Sequence, residues 1–164
     1  MRVNSSPQFS EKNVITLCSI RGFMILYTKS IKKQYQSESD GIRICVINRL
    51  TRSDGQTPVE RWYKGKAFHY WAVPLAPPAD IVGAYYREEL PWEDFAAKYR
   101  TYLRENDNVK KEMLWIAQRA LTDAVTILCV EDTHHHCHRS ILAEEMQKLE
   151  PRLEVVHRDM SLES

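Results

Sequence analysis

Excess charge is the first thing this sequence lacks: 23 Lys and Arg stand against 22 Asp and Glu, a formal net charge of +1 over 164 residues. So balanced a chain has no overall field to draw nucleic acid or a membrane surface, and any basic patch has to be local. Cysteine is sparse, with four residues at positions 18, 45, 129 and 137. That is too thin for a secreted disulfide scaffold, and Cys45 lies in an apolar strand-like run, so a reducing cytoplasm is the expected compartment. Long apolar runs are missing as well. Val14 to Tyr27 is broken by Arg21 and Gly22, well short of the roughly 20 residues a spanning helix needs, and no secretion signal stands out. There is no internal repeat and no low-complexity segment, and the length suits one domain with a core of its own.

What is present is an alternation of buried-looking strands with amphipathic helices. Ala124 to Val130 and Ile42 to Asn48 are apolar and rich in β-branched residues, without Gly or Pro, and read as strands covered on both faces of a parallel sheet. Weaker strands are predicted near 24–30 and 153–157. Pro77 and Pro78 suit the entry of a helix over 79–86, and Pro91 starts another with a stripe of Trp92, Phe95, Ala96, Tyr99 and Leu103. Asp107 or Asn108 can cap a third, with Val109, Met113, Ile116, Ala117 and Ala120 on one side. A fourth runs over 138–149 and ends before Pro151. The alternation predicts a single α/β domain over 24–164, three-layered and Rossmann-like, with a mostly parallel sheet and a βαβ unit at its end. Residues 1–23 form an extension, with VITLCSI as its one stretch able to pair. Lys32 to Asp40 reads as a mobile connector and the tail from Arg158 as frayed. Trp71, Trp92 and Trp115 are expected in the core; Trp62, in a polar loop, either closes over a ligand or lies partly buried against the sheet edge.

The chemistry concentrates in AVTILCVEDTHHHCHRS, residues 124–140. Cys129 and Glu131 end the strand, and a short turn leads to Cys137, His138 and Arg139 at a helix start. Unpaired backbone N–H groups and the dipole there attract anions and favour a thiolate. Period two along the second strand puts Arg43, Cys45, Ile47 and Arg49 on one side, with Arg49 just past the carboxyl end. In open parallel sheets ligands bind outside the carboxyl ends of strands, so Arg49 and the 129–131 segment are expected to converge.

Four segments, GIRICVINRL, W-x-x-x-L-A-P-P at 71–78, PWEDFAAKYRTYL and TILCVEDTHHHCHRSILAE, resemble the domain of unknown function 488 family. The resemblance runs from about Met24 onward. Its most specific pieces are the L-C-x-E strand end and the C-H-R helix start. Arg49, Arg52 and Gly55 resemble the family's R-x-x-R-G region, with Ser53 and Asp54 inserted here. The resemblance implies a compact α/β fold and a shared polar site of Arg49, Cys129, Glu131, Cys137, His138 and Arg139; it brings neither an activity nor a cofactor.

Three readings follow from the residues. In the first, an anionic small molecule, phosphorylated or nucleotide-like, is held by Arg49 and Arg139 with Cys129 beside it. Cys137 then serves as nucleophile and Glu131 or His138 as proton carrier. In the second, Cys129, Cys137 and a histidine hold zinc; seven residues between the cysteines and the lack of a second C-x-x-C half weigh against it, so no metal ligand is assigned. In the third, a non-catalytic module, Cys129 is core, Glu131 pairs with Arg139 or Arg49, and His134, His135 and His136 decorate a solvated turn.

Overall fold

The computed structural model describes residues 24–33 and 38–160. Five strands form one sheet: β1 (Ile25–Ser30), β2 (Ile42–Cys45), β3 (Tyr70–Trp71), β4 (Val125–Cys129) and β5 (Glu154–Arg158). Their order is β3-β2-β4-β1-β5, and every pairing is parallel. Four helices flank it, α1 (Ala79–Tyr86), α2 (Trp92–Glu105), α3 (Asp107–Arg119) and α4 (His138–Leu149). This is the expected three-layer α/β class. The strongest strand signal becomes the centre: all five residues of β4 are buried, with β2 and β1 on either side of it.

Each helix follows from local sequence. Asn106 caps α3, its side-chain oxygen accepting from the backbone N–H groups of Asn108 and Val109 at 3.1 and 3.2 Å. Pro78 and Pro91 stand at the N-cap positions of α1 and α2. The stripes of α2 and α3 (Phe95, Tyr99, Leu103, Val109, Met113, Ile116) join Leu26, Ile44, Val125 and Ile127 of the sheet and Leu142 and Met146 of α4 in the main core. Each such side chain contributes on the order of 1.5–3 kcal/mol by leaving water. A second, smaller cluster gathers Ile31, Cys45, Ile47, Phe68, Leu128, Cys129 and Cys137.

One glycine is required by geometry. Gly41, at φ +60°, lets β2 start against β4; a Cβ there would lie 2.1 Å from the Ala124 carbonyl oxygen, which accepts the Ile42 N–H at 2.8 Å.

Several expectations are corrected. Trp71 is 37 % exposed and Trp115 is 56 % exposed. Trp71 lies in the two-residue edge strand β3, its indole N–H donating to the Ile47 carbonyl at 2.7 Å, and Trp115 meets Tyr70's ring edge-on at the surface. Trp92 is half-buried against the core. The connector after β1 ends in a 3-10 turn, Glu38–Asp40. Asp40 there is fully buried and pairs with Lys29 at 2.7 Å and Arg158 at 3.1 Å. The tail does not fray at Arg158, which ends β5, and Asp159 is a structural partner of Arg139. The extension over 1–23, including VITLCSI, lies outside the described residues.

Candidate functional site

The strand order sets the position of the site. From β2 the chain leaves toward β3 at one edge, while from β4 it returns through α4 to β5 at the other. Connections that diverge from adjacent parallel strands open a crevice beyond their carboxyl ends. A cavity of about 700 Å³ lies there. Arg49, Arg52 and Trp62 come from the segment after β2, Tyr85, Tyr86 and Arg87 from the end of α1, and Trp92 and Phe95 from α2. Glu131, His136 and His138 complete the wall from the loop after β4 and the start of α4.

Arg49 and Arg52 are exposed and make no ion pair with a described residue. Gly55, at φ +70°, leaves room for the first of them, since a Cβ there would stand 3.2 Å from Arg49 Nη1. The two residues inserted before that glycine have a local use. The Asp54 carboxylate accepts from the N–H groups of Gln56 and Thr57, both at 2.9 Å, and closes the turn. Arg87 is engaged, forked onto Glu89 at 2.7 Å.

Behind the wall the reactive groups meet. One ligating atom from each of Cys129, Glu131, Cys137 and His138 lies within 4.8 Å of the others. Glu131 is the hub: its Oε2 accepts from the thiols of Cys129 at 3.0 Å and Cys137 at 3.3 Å, and its Oε1 from the Tyr86 hydroxyl at 2.7 Å. Burial would raise the Glu131 carboxyl, but the Cys129 thiol, the Tyr86 hydroxyl and the nearby imidazole hold it below the usual carboxylate range. Burial, with Cys137 and the Glu131 charge alongside, pushes the Cys129 thiol well up. His138 is held down by burial, against the pull of Glu131 and of the Val46 carbonyl. At neutral pH the site therefore pairs a carboxylate with a neutral imidazole and a neutral Cys129 thiol.

The residues expected from the sequence divide into two groups. Arg49, Glu131 and His138 share the crevice wall. Cys129 is fully buried and Cys137 is 1 % exposed, so both thiols stand behind the carboxylate. Arg139 is fully buried and turned to the protein. Its Nη1 donates to the Glu131 carbonyl at 2.6 Å and lies 3.7 Å from Cys137 Sγ, and its Nη2 donates to Asp159 at 3.0 Å. Glu131 pairs with neither arginine through its side chain: Arg139 takes its backbone carbonyl, and Tyr86 and the two thiols take its carboxylate. The histidines are more than decoration. His134 pairs with Asp159 at 2.6 Å and stacks on His157, and His136, at φ +50°, stacks on Trp92 with ring centroids 4.9 Å apart. Tyr86, Trp92 and Asp159 were not singled out from the sequence as site residues. Each acts across at least 20 residues of chain, so local spacing carries no trace of its role.

No curated protein and no solved structure matches the chain. A family model described as the active DUF488-N3 subclade matches residues 26–150, from β1 through the last turn of α4. The match spans most of the sequence, both walls of the crevice and all four clustered residues, and by it this chain belongs to the DUF488 family.

Proposed function

We propose that this domain binds an anionic small molecule carrying an aromatic ring, of the nucleotide class, in the crevice beyond β2 and β4, and acts on it. The observation that carries the reading is one cavity with three kinds of wall. Two guanidinium groups without a carboxylate partner among the described residues, Arg49 and Arg52, suit a phosphate-like group. The rings of Trp62, Tyr85 and Trp92 suit a flat base. Glu131 and His138 are the groups able to act on the bond held between them. A site of this size, mostly apolar with a few polar groups aimed inward, is of the kind that takes small molecules. The subclade's description as active supports a working site.

In this reading the thiols are not the attacking groups, because burial keeps them behind Glu131. Arg139 holds the loop instead of the ligand. Thermal-shift measurement with a panel of nucleoside mono-, di- and triphosphates, sugar phosphates and inorganic phosphate tests the proposal. A ligand at about 100 times its Kd adds about 2.7 kcal/mol of stability by mass action. Stabilisation by at least one ring-bearing phosphate is expected, largely lost in Arg49→Ala and kept in Arg119→Ala, whose arginine ends α3 and pairs with Asp123 in the turn beyond it. A flat panel, or an equal shift in Arg49→Ala, would overturn it and favour a structural module.

A further inference from the structure

We propose that Cys129, Glu131, Cys137 and His138 together hold one divalent cation of the zinc class. This goes beyond the ligand reading and stands or falls without it. It also gives the two buried thiols, which the crevice does not use, a chemical task.

Donor geometry is the first argument. Zinc binds sulfur at about 2.3 Å and imidazole nitrogen or carboxylate oxygen at about 2.0–2.2 Å, so neighbouring donors on a tetrahedron stand roughly 3.3–3.8 Å apart. Here Cys137 Sγ to Glu131 Oε2 is 3.3 Å, Cys129 Sγ to Glu131 Oε2 is 3.0 Å, and Cys129 Sγ stands 3.5 Å from His138 Nδ1 and 3.4 Å from its Nε2. These contacts come within a few tenths of an ångström of such edges, and all four donors lie within 4.8 Å of one another, so side-chain adjustments of up to about an ångström close the shell. A sequence count alone disfavours zinc, because it looks for paired C-x-x-C halves. It misses that one strand end, one loop and one helix start bring a cysteine, a carboxylate and a Cys-His pair to a single point.

The groups behind the donors are the second argument. His138 Nε2 lies 2.8 Å from the Val46 carbonyl. A carbonyl only accepts, so Nε2 carries the proton and Nδ1 is the ring nitrogen left with a lone pair, 3.5 Å from Cys129 Sγ. Ligating histidines are oriented in this way by a backbone carbonyl. The Tyr86 hydroxyl holds Glu131 Oε1 and leaves Oε2 inside the cluster. Two thiolates and a carboxylate would leave the occupied site one unit negative, and Arg139 Nη1, 3.7 Å from Cys137 Sγ, supplies the balancing charge.

Donor type sets the metal. Two sulfurs with one nitrogen and one oxygen suit zinc and exclude magnesium or calcium, which take oxygen shells. The two cysteines face the core and Glu131 faces the crevice. The carboxylate is therefore the ligand placed to give way to an incoming oxygen, as catalytic zinc sites keep one exchangeable position.

The full untagged chain, expressed with added zinc, is measured by elemental analysis, as purified and after metal-free protein is titrated with zinc against a chromophoric chelator. About one equivalent per chain is expected in the wild type and in Cys45→Ala, and none in Cys129→Ser or Cys137→Ser. Should the serine variants fail to fold, cobalt loaded into the wild type gives the second reading: thiolate-to-metal charge transfer with intense tetrahedral ligand-field bands. No zinc uptake by folded wild type, uptake unchanged in folded cysteine variants, or cobalt spectra without thiolate character would each overturn the proposal. None of these readouts depends on the nucleotide panel.

Discussion

Replacement of Arg139 by Met tests whether the loop that carries Glu131 is held from behind. The guanidinium is fully buried and makes two short polar contacts, 2.6 Å to the Glu131 carbonyl and 3.0 Å to Asp159. Removing one partner of a buried ion pair typically costs about 3–5 kcal/mol. Here three things reduce that. Asp159 is 27 % exposed and keeps His134 at 2.6 Å, so water and an imidazole replace part of what is lost. Arg139 Nε has no hydrogen-bond partner among the described residues, so its desolvation penalty disappears with the guanidinium. Met also fills the space of the stem, and little cavity opens. Against this, the Glu131 carbonyl loses a charged donor, worth about 1.5–3 kcal/mol. The net expectation is a loss of about 2–4 kcal/mol, read by urea denaturation, or a melting temperature lower by roughly 6–12 °C for a domain of this size. Arg139→Lys keeps the charge without the fork and should recover only part. Coupling between Arg139→Met and Asp159→Asn of about 0.5–3 kcal/mol is expected in a double-mutant cycle. A loss below about 1 kcal/mol, full rescue by Lys, or strict additivity with Asp159→Asn would refute the reasoning.

Three further outcomes follow from single contacts. Gly41→Ala should destabilise by about 3 kcal/mol or more in the same assay, because it adds a left-handed penalty to an overlap with backbone that neither β2 nor β4 can relieve; a change under about 1 kcal/mol would show that the two strands are not pinned there. Glu145 of α4 is held below the usual carboxylate range by Arg104 at 2.8 Å, against burial and with help from Lys148. The folded chain thus binds fewer protons at this site than the unfolded one; its contribution is complete above the ordinary carboxylate pKa and fades as pH falls through the lower folded value. Glu145→Gln should therefore flatten the acid limb of stability against pH, and an unchanged limb would contradict the assignment. Burial raises the Cys45 thiol to about 11, a backbone hydrogen bond opposing it, so iodoacetamide at pH 8 should leave Cys45 untouched in native protein and label it after unfolding, as mass spectrometry of the peptides would report.

The parts legible in the sequence are those whose signal is local. The apolar run 124–130 is buried β4, and the stripe from Trp92 to Leu103 became the packed face of α2 with Phe95, Ala96, Tyr99 and Leu103 buried. Arg49, expected beyond the carboxyl end of the second strand from its period and from the family resemblance, lines the crevice. Trp115 was misjudged although its register was readable: Met113, Ile116 and Ala117 mark the buried side of α3, and position 115 falls off it. Trp71 had no such clue, since a two-residue edge strand is too short for a period. Tyr86 and Asp159 were invisible for another reason. Their partners, Glu131 and Arg139, lie 45 and 20 residues away, and a pairing made only by folding leaves nothing in a window of ten.

The loop between β4 and α4 shows why those distant partners matter. A turn holding three histidines would ordinarily be free to wander, yet this one is fixed at several points. Arg139 grips the Glu131 carbonyl, and the Met160 N–H donates to the Asp132 carbonyl at 3.0 Å. His134 is held by Asp159 and His157, and His136 is laid on Trp92. Three of these anchors draw on β5 or the residues just beyond it, the segment paired in parallel beside β1. The loop that carries the carboxylate, imidazole and thiols is thus held by contacts from residues distant in the sequence. That is the condition for preorganised side chains on a loop: a ligand or metal would not have to order them, because the sheet edge has already done so.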